Sequence, residues 1–262
     1  MDHGLCGGER MPLNGLPHAR GKQLLIDAAL RLAVETRSIR SIGVRELGRE
    51  AGLNPNTFYR HFRTMDDLGL ALLDQIVQEL RLPLQELRRN AASSVLLNGG
   101  SKKNLSPVIL GLEKAKAMTR EMVASFFDFV ELNSSAFIVG VSELHGSSPI
   151  LRSALHNTLL DFSKDLADDA SLLELFPSFS RDKLDEISCL IIWHFFHLTT
   201  RYIEQTVERR KIRLGAEKFM LTLIGGNLLI EAERTADLSS ISDVLRAAHA
   251  HHGDFSGANL NG

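Results

Sequence analysis

Apolar positions recur along this chain at three- and four-residue spacing, the signature of helices with one buried face, and no convincing two-residue alternation of strands appears. From about His18 to Thr36, Leu24, Leu25, Ala28, Ala29, Leu32 and Ala33 form one stripe. Val44 to Ala51 predicts a second, short helix with Gly43 at its N-cap. Gly52 stops it, as a residue able to take the left-handed conformation does past a helix end. Asn54 then caps a third helix and Pro55 takes its first turn, where a missing N–H costs nothing. Asp66 and Asp67 open a long fourth helix, well placed for its dipole, and Leu68, Leu72, Ile76 and Leu80 continue its stripe. Pro83 is expected to bend that helix. Ala92 to Pro107, with Asn-Gly-Gly-Ser and Lys-Lys-Asn, reads as a loop or a local disordered insertion.

Further helices are predicted at about 108–132, 134–145, 149–172, 180–208 and 214–235, with Ser134, Ser148 and Ser180 as caps. Gly-Ser-Ser-Pro at 146–149 and Phe-Pro-Ser-Phe-Ser at 176–180 are breaks, and there is no internal repeat. The expectation is an all-α protein with a three-helix head over 18–65 and a larger helical bundle over 66–235. Residues 1–17 read as a disordered leader and 236–262 as a mostly flexible tail.

Composition changes little, since 44% hydrophobic and 24% charged residues are ordinary for a globular protein with a sizeable core. Charge changes more. The net charge of -2 argues against a polybasic protein, yet His18 to Met65 holds nine Lys/Arg against four acids. That segment is +5 and the remainder -7, the asymmetry of a basic module on an acidic body, which is expected of a nucleic-acid binder. Cys6 and Cys189 lie far apart and suggest neither a disulfide framework nor a thiolate metal site. The leader holds no apolar run of signal-peptide length. The most apolar window, Ile187 to Leu198, is too short to span a bilayer and carries His194 and His197. A cytoplasmic protein without a membrane span is expected.

Helix, Gly turn and short helix over Val44 to Phe62 have helix-turn-helix spacing. Val44, Leu47, Ala51, Leu53, Phe58 and Phe62 would pack the unit, leaving Asn56, Thr57, Tyr59, Arg60 and His61 to face outward. A helical hairpin with a solvated polar face is the plainer reading of two short helices. The local +5 tips the balance toward DNA, because cations on phosphates release counterions.

The run VRELGREAGLNPNTFYRHFRTMDDLGLALL resembles the DNA-binding head of TetR-family transcriptional regulators, a likeness that covers roughly residues 18 to 75. "NPNTFYRHF", "DDLGL" and, more weakly, "FFDFVELNSSAF" followed by a Glu and a Gly-Ser break are similar to the repressors of bacterial unsaturated fatty-acid synthesis and desaturation within that family. The resemblance implies a homodimer that lays two third helices into successive major grooves of a palindromic operator. It places Asn56 and Thr57 at base-edge or phosphate contacts, and Tyr59 and His61 at backbone contacts. Arg45 becomes a candidate phosphate or groove contact. Pro55 and Met65 depart from the family pattern, which often has Lys there, and Arg60 and Arg63 are positioned to compensate.

The body is rich in Phe and aliphatic residues, among them Phe126, Phe129, Val130, Phe137 and Phe162. For any one of these, core packing is the simpler reading. The resemblance implies that some of them, with Trp193, line a tunnel for a hydrophobic effector such as the acyl chain of an acyl-CoA or acyl-carrier thioester. A drug-like cation or a quorum signal is the alternative ligand. His194 and His197 at i and i+3 lack a carboxylate at metal-ligand spacing, and His249, His251 and His252 sit near the chain end, so neither a metal nor a cofactor is expected. By the same resemblance the last two helices build the dimer interface, with an intrachain core as the alternative. A lipid-acting enzyme is disfavoured: there is no Gly-x-Ser-x-Gly elbow, no Gly-rich phosphate loop and no carboxylate pair with a base.

Overall fold

The computed structural model describes residues 16–98 and 107–234, and among these every regular element is helical. The head is α1 (Leu16–Thr36), α2 (Val44–Glu50) and α3 (Phe58–His61), the last entered through a 3-10 turn at Pro55–Thr57. The body is α4 (Met65–Asn98), α5 (Pro107–Leu132), α6 (Ser134–Leu144), α7 (Pro149–Leu172), α8 (Arg181–Glu204) and α9 (Arg209–Arg234).

Local chemistry sets the head. Leu25, Ala28, Ala29 and Leu32 of α1 are buried against Ile39, Ile42, Leu47, Phe58 and Phe62. Gly52 takes φ 67, the left-handed conformation that ends α2. A Cβ on Gly48 would lie 3.1 Å from both the Leu53 carbonyl oxygen and Pro55 Cα, so a larger residue there would press on the turn backbone. The Asn54 side chain accepts the Asn56 N–H at 2.9 Å. At the start of α4, Asp67 Oδ2 accepts the N–H groups of Arg63 (3.1 Å) and Thr64 (3.2 Å), and Thr64 Oγ1 accepts the Asp67 N–H at 3.1 Å. This is a reciprocal cap that fixes how the head meets the long helix.

In the body α4 packs on α5 and α7, α7 on α8, and α5 on α9. α4 runs through Pro83 to Asn98, with Leu80, Ala91 and Ala92 buried on either side, and packing of that face holds the helix. Several expectations are corrected. Residues 92–98 are therefore helix rather than loop. Asn133, not Ser134, precedes α6, and its amide donates to the Phe129 carbonyl. Ser148 and Ser180 do cap α7 and α8, each accepting an N–H at 3.3 Å. α8 ends at Glu204 and α9 begins at Arg209, joined by a 3-10 turn at Thr206–Glu208. The readings of the leader, of 99–106 and of the tail lie outside the described residues.

Head and body are joined by specific contacts. Glu143 of α6, 1% exposed, accepts the Ile39 N–H on Oε1 at 2.5 Å. Arg37 pairs with Glu204 at 2.9 Å. A Cβ on Gly69 would meet Leu151 Cδ1 at 2.8 Å, so the first turns of α4 and α7 touch directly.

Candidate nucleic-acid interface and apolar cavity

The outward face of the head is built by the turn and α3. The Tyr59 ring is 66% exposed and stands edge-on to buried Phe58 at 5.2 Å, so its base is anchored and its hydroxyl reaches out. Arg45, Asn56 and Arg60 are exposed beside it. Thr57 and His61 are half-buried and turn toward α1: a Cβ on Gly21 would lie 3.1 Å from His61 Nε2 and 3.9 Å from Thr57 Cγ2. The five polar residues of the turn and α3 thus divide, with Asn56, Tyr59 and Arg60 outward and Thr57 and His61 against the first helix. Gly21 was not singled out by the sequence, because its role as the floor under His61 depends on how α1 and α3 cross.

The positive charge of the head divides too. Arg31 pairs with Glu50 at 2.6 Å and Arg40 approaches Asp66 at 3.6 Å. Lys22 lies over the Phe62 ring at 5.9 Å. Arg45, Arg60 and Arg63 form no ion pair among the described residues, which leaves these guanidinium groups available to phosphate oxygens.

A second candidate site lies inside the body. An apolar cavity of about 100 Å³ is lined by side chains of α4, α5, α6, α7 and α8. Phe126, Phe137 and Phe162 line it, joined by Phe195 and Phe196. Phe126 stands edge-on to Phe137 at 6.0 Å and to Phe195 at 5.2 Å, a wall of offset rings. Phe129, Val130 and Trp193 lie outside that lining. Val130 is fully buried, Phe129 packs edge-on to Phe137 at 6.2 Å, and Trp193 lies against His156 at 5.2 Å. Sequence reasoning missed the contribution of α4, whose Leu73, Ile76, Val77 and Leu80 form one wall. Their helical spacing identified a buried stripe but not that the stripe faced a space.

The last two helices carry two apolar faces. Leu184, Ile187, Ile191, Phe195 and Leu228 are buried within the chain, whereas Leu190, Leu214, Leu229 and Ile230 are exposed. The glycine pair divides likewise: a Cβ on Gly225 would meet Leu112 Cδ1 of α5 at 3.2 Å, while one on Gly226 has nothing within 4 Å. His194 stacks on Phe219 at 3.9 Å, and burial together with the neighbouring His197 pushes its pKa below the usual histidine value. No cluster of three or more His, Cys, Asp or Glu is arranged to hold a metal among the described residues. Nor is any single helix among them long and apolar enough to cross a membrane.

Residues 25–72 match the family model of bacterial regulatory proteins of the tetR family. A protein from Rhodococcus sp. assigned to the TetR-family transcriptional regulators has a similar structure: 14% identity, 79% of this chain and 99% of that one covered, TM-score 0.54. So does the transcriptional regulator FadR from Bacillus subtilis in complex with stearoyl-CoA, at 16% identity, 77% and 96% coverage and a TM-score of 0.50. At these identities the likeness is one of fold. The family model places a regulator's helix-turn-helix on the residues that form the outward face of the head, and the all-helical body completes the same fold. Over residues 25–72 the chain thus carries the head of the tetR family of bacterial regulatory proteins, and its described residues share the fold of TetR-family regulators.

Proposed function

We propose that this protein is a TetR-type transcriptional repressor that binds a palindromic operator as a homodimer in the cytoplasm, released or strengthened by the acyl chain of a long-chain acyl-CoA in fatty-acid metabolism. Arg45, Asn56, Tyr59 and Arg60 meet the DNA directly, and Thr57 and His61 reach it from the crevice beside α1. The exposed Leu190, Leu214, Leu229 and Ile230 supply an apolar surface for a second copy, which places two heads for successive major grooves.

The observation that carries the effector reading is the double use of α6. Ala136, Phe137 and Gly140 line the cavity, and Glu143, three residues on, holds the head through Ile39. Entry of a ligand that displaces α6 is thereby passed to the helix-turn-helix. The cavity is smaller than the roughly 300–1,000 Å³ of drug-sized pockets, so an acyl chain must part its walls. A ligand that binds only the parted state shifts the population toward it. Acyl-CoA is the class favoured because the lining is almost wholly apolar and because a regulator of the same fold holds stearoyl-CoA.

The test is a fluorescence titration of operator fragments across salt concentrations, with matched C16 and C18 acyl-CoAs, saturated and monounsaturated. A sequence-selective complex whose log affinity falls steeply with log salt is expected. One acyl class should strengthen it and the other weaken it. If neither class binds or alters operator affinity, the body senses another ligand.

A further inference from the structure

Arg88 lies in the second half of α4 and lines the cavity, yet is only 8% exposed. Its Nε donates to Asp169 Oδ2 of α7 at 2.9 Å. The other oxygen of that carboxylate accepts from Arg89 Nε at 3.2 Å. Arg88 Nη2 is buried without a hydrogen-bond partner among the described residues. Buried guanidinium donors are normally satisfied, because an orphaned one keeps its desolvation penalty. Thr158, also in the lining, donates its hydroxyl to the Ala154 carbonyl at 3.0 Å. Nearby, Arg81 holds Asp165, and Arg181 is shared by Asp168 and Asp185. Two arginines share Asp169, so that one carboxylate faces two cations.

Leu73 also lines the cavity and stands fifteen residues before Arg88 on the same helix, a rise of about 22 Å. That is close to the length of an extended C16 or C18 chain. The opposite region of the lining, with Gly140, Leu155 and Phe196, is apolar.

We infer that Arg88 Nη2 is the polar anchor of the effector: it donates to the oxygen on the first carbon of the acyl ligand, and the chain runs from there toward Gly140 and Phe196. This rests on the acyl reading above and adds the direction of the ligand and the group that recognises it. The thioester carbonyl of an acyl-CoA and the carboxylate of a free fatty acid present the same acceptor. A guanidinium donates more strongly to a carboxylate than to the neutral hydroxyl of an alcohol, so the site discriminates against the corresponding alcohol.

Calorimetric titration of the full chain with hexadecanoate, hexadecanoyl-CoA and hexadecanol tests this, using the parent, Arg88→Lys and Arg88→Met. Asp169 keeps Arg89 in both variants, and Arg88→Lys also keeps a cation for it, so Arg88→Lys decides if Arg88→Met misfolds. The parent is expected to bind at least one of the two carbonyl-bearing probes more tightly than hexadecanol. Each folded variant should lose about tenfold affinity for that probe, with a smaller change for the alcohol. A loss confined to hexadecanoate assigns the anchor to free acids; one confined to hexadecanoyl-CoA assigns it to thioesters. Folded variants that bind both probes as the parent does overturn the anchor and leave the acyl reading standing. A parent that binds none of the three overturns both.

Discussion

In the head, Leu25, Ala29, Leu47 and Phe58 close on one another at 2% exposure or less, while in the body Phe126, Phe137, Phe162 and Phe196 stand around about 100 Å³ that no side chain fills. Both regions are helical and both bury aromatic rings, but the ends served differ. On the proposed reading, the head must hold Tyr59 and Arg60 in one geometry, because a DNA groove has a fixed repeat. The body must be able to take two packings if a ligand is to choose between them. The two regions meet at α6, one side of which faces the cavity while Glu143 grips Ile39.

Truncation of a ring should separate them most. Phe58→Ala, in the closed core of the head, should cost about 3–5 kcal/mol of stability in urea denaturation. Phe126→Ala, beside an existing space and only half-buried, should cost less. Equal losses would show that the body is packed as tightly as the head. Tyr59→Phe probes the outward surface alone: it should leave stability unchanged and weaken operator binding by about 1–2 kcal/mol in a fluorescence titration. The loss should be similar across operator variants, because backbone contacts position rather than specify. A change in base preference would move Tyr59 to the base edges.

The smallest effect concerns the joint. Burial holds the Glu143 carboxyl above its ordinary pKa, opposed by the Ile39 N–H, with Asp66 raising it further and Arg40 lowering it. The folded protein therefore binds this proton more tightly than the unfolded chain. The stability Glu143 contributes is fully present below the ordinary carboxylate value and is lost as pH rises through the raised one. Glu143→Gln keeps an oxygen for Ile39 and cannot ionise. Its stability relative to the parent should increase from about pH 4 to pH 7 in denaturation curves, and a flat difference would place the charge elsewhere.

What was legible in the sequence follows the same division. Gly52, Asn54 and Pro55 act through their own turn, so the helix-turn-helix is written in consecutive residues. Ser148 and Ser180 were readable for that reason too, while Ser134 misled because Asn133 ends the preceding turn instead. Pro83 lies inside α4, where the local rule against it was outweighed by the packed faces of the helix. Long-range features carry no such signature. Glu143 resembles an ordinary acid near a helix end, Arg88 belongs to a basic pair that reads as a solvated face, and Gly69 shows its purpose only against Leu151. The cavity belongs to this second kind, since five helices each contribute a few members of an ordinary apolar stripe.

The hydrogen bond from Ile39 to Glu143 joins positions 104 residues apart, and this bears on the order in which the molecule is made. Synthesis proceeds from the N-terminus, so the helix-turn-helix leaves the ribosome well before α6 exists to receive the Ile39 N–H. Local contacts let the head form early, whereas its seat on the body waits for a long loop to close. On the proposed reading, a nascent chain would acquire its grip on DNA before the restraint that makes the grip answerable to a ligand, and control would be the last property to mature.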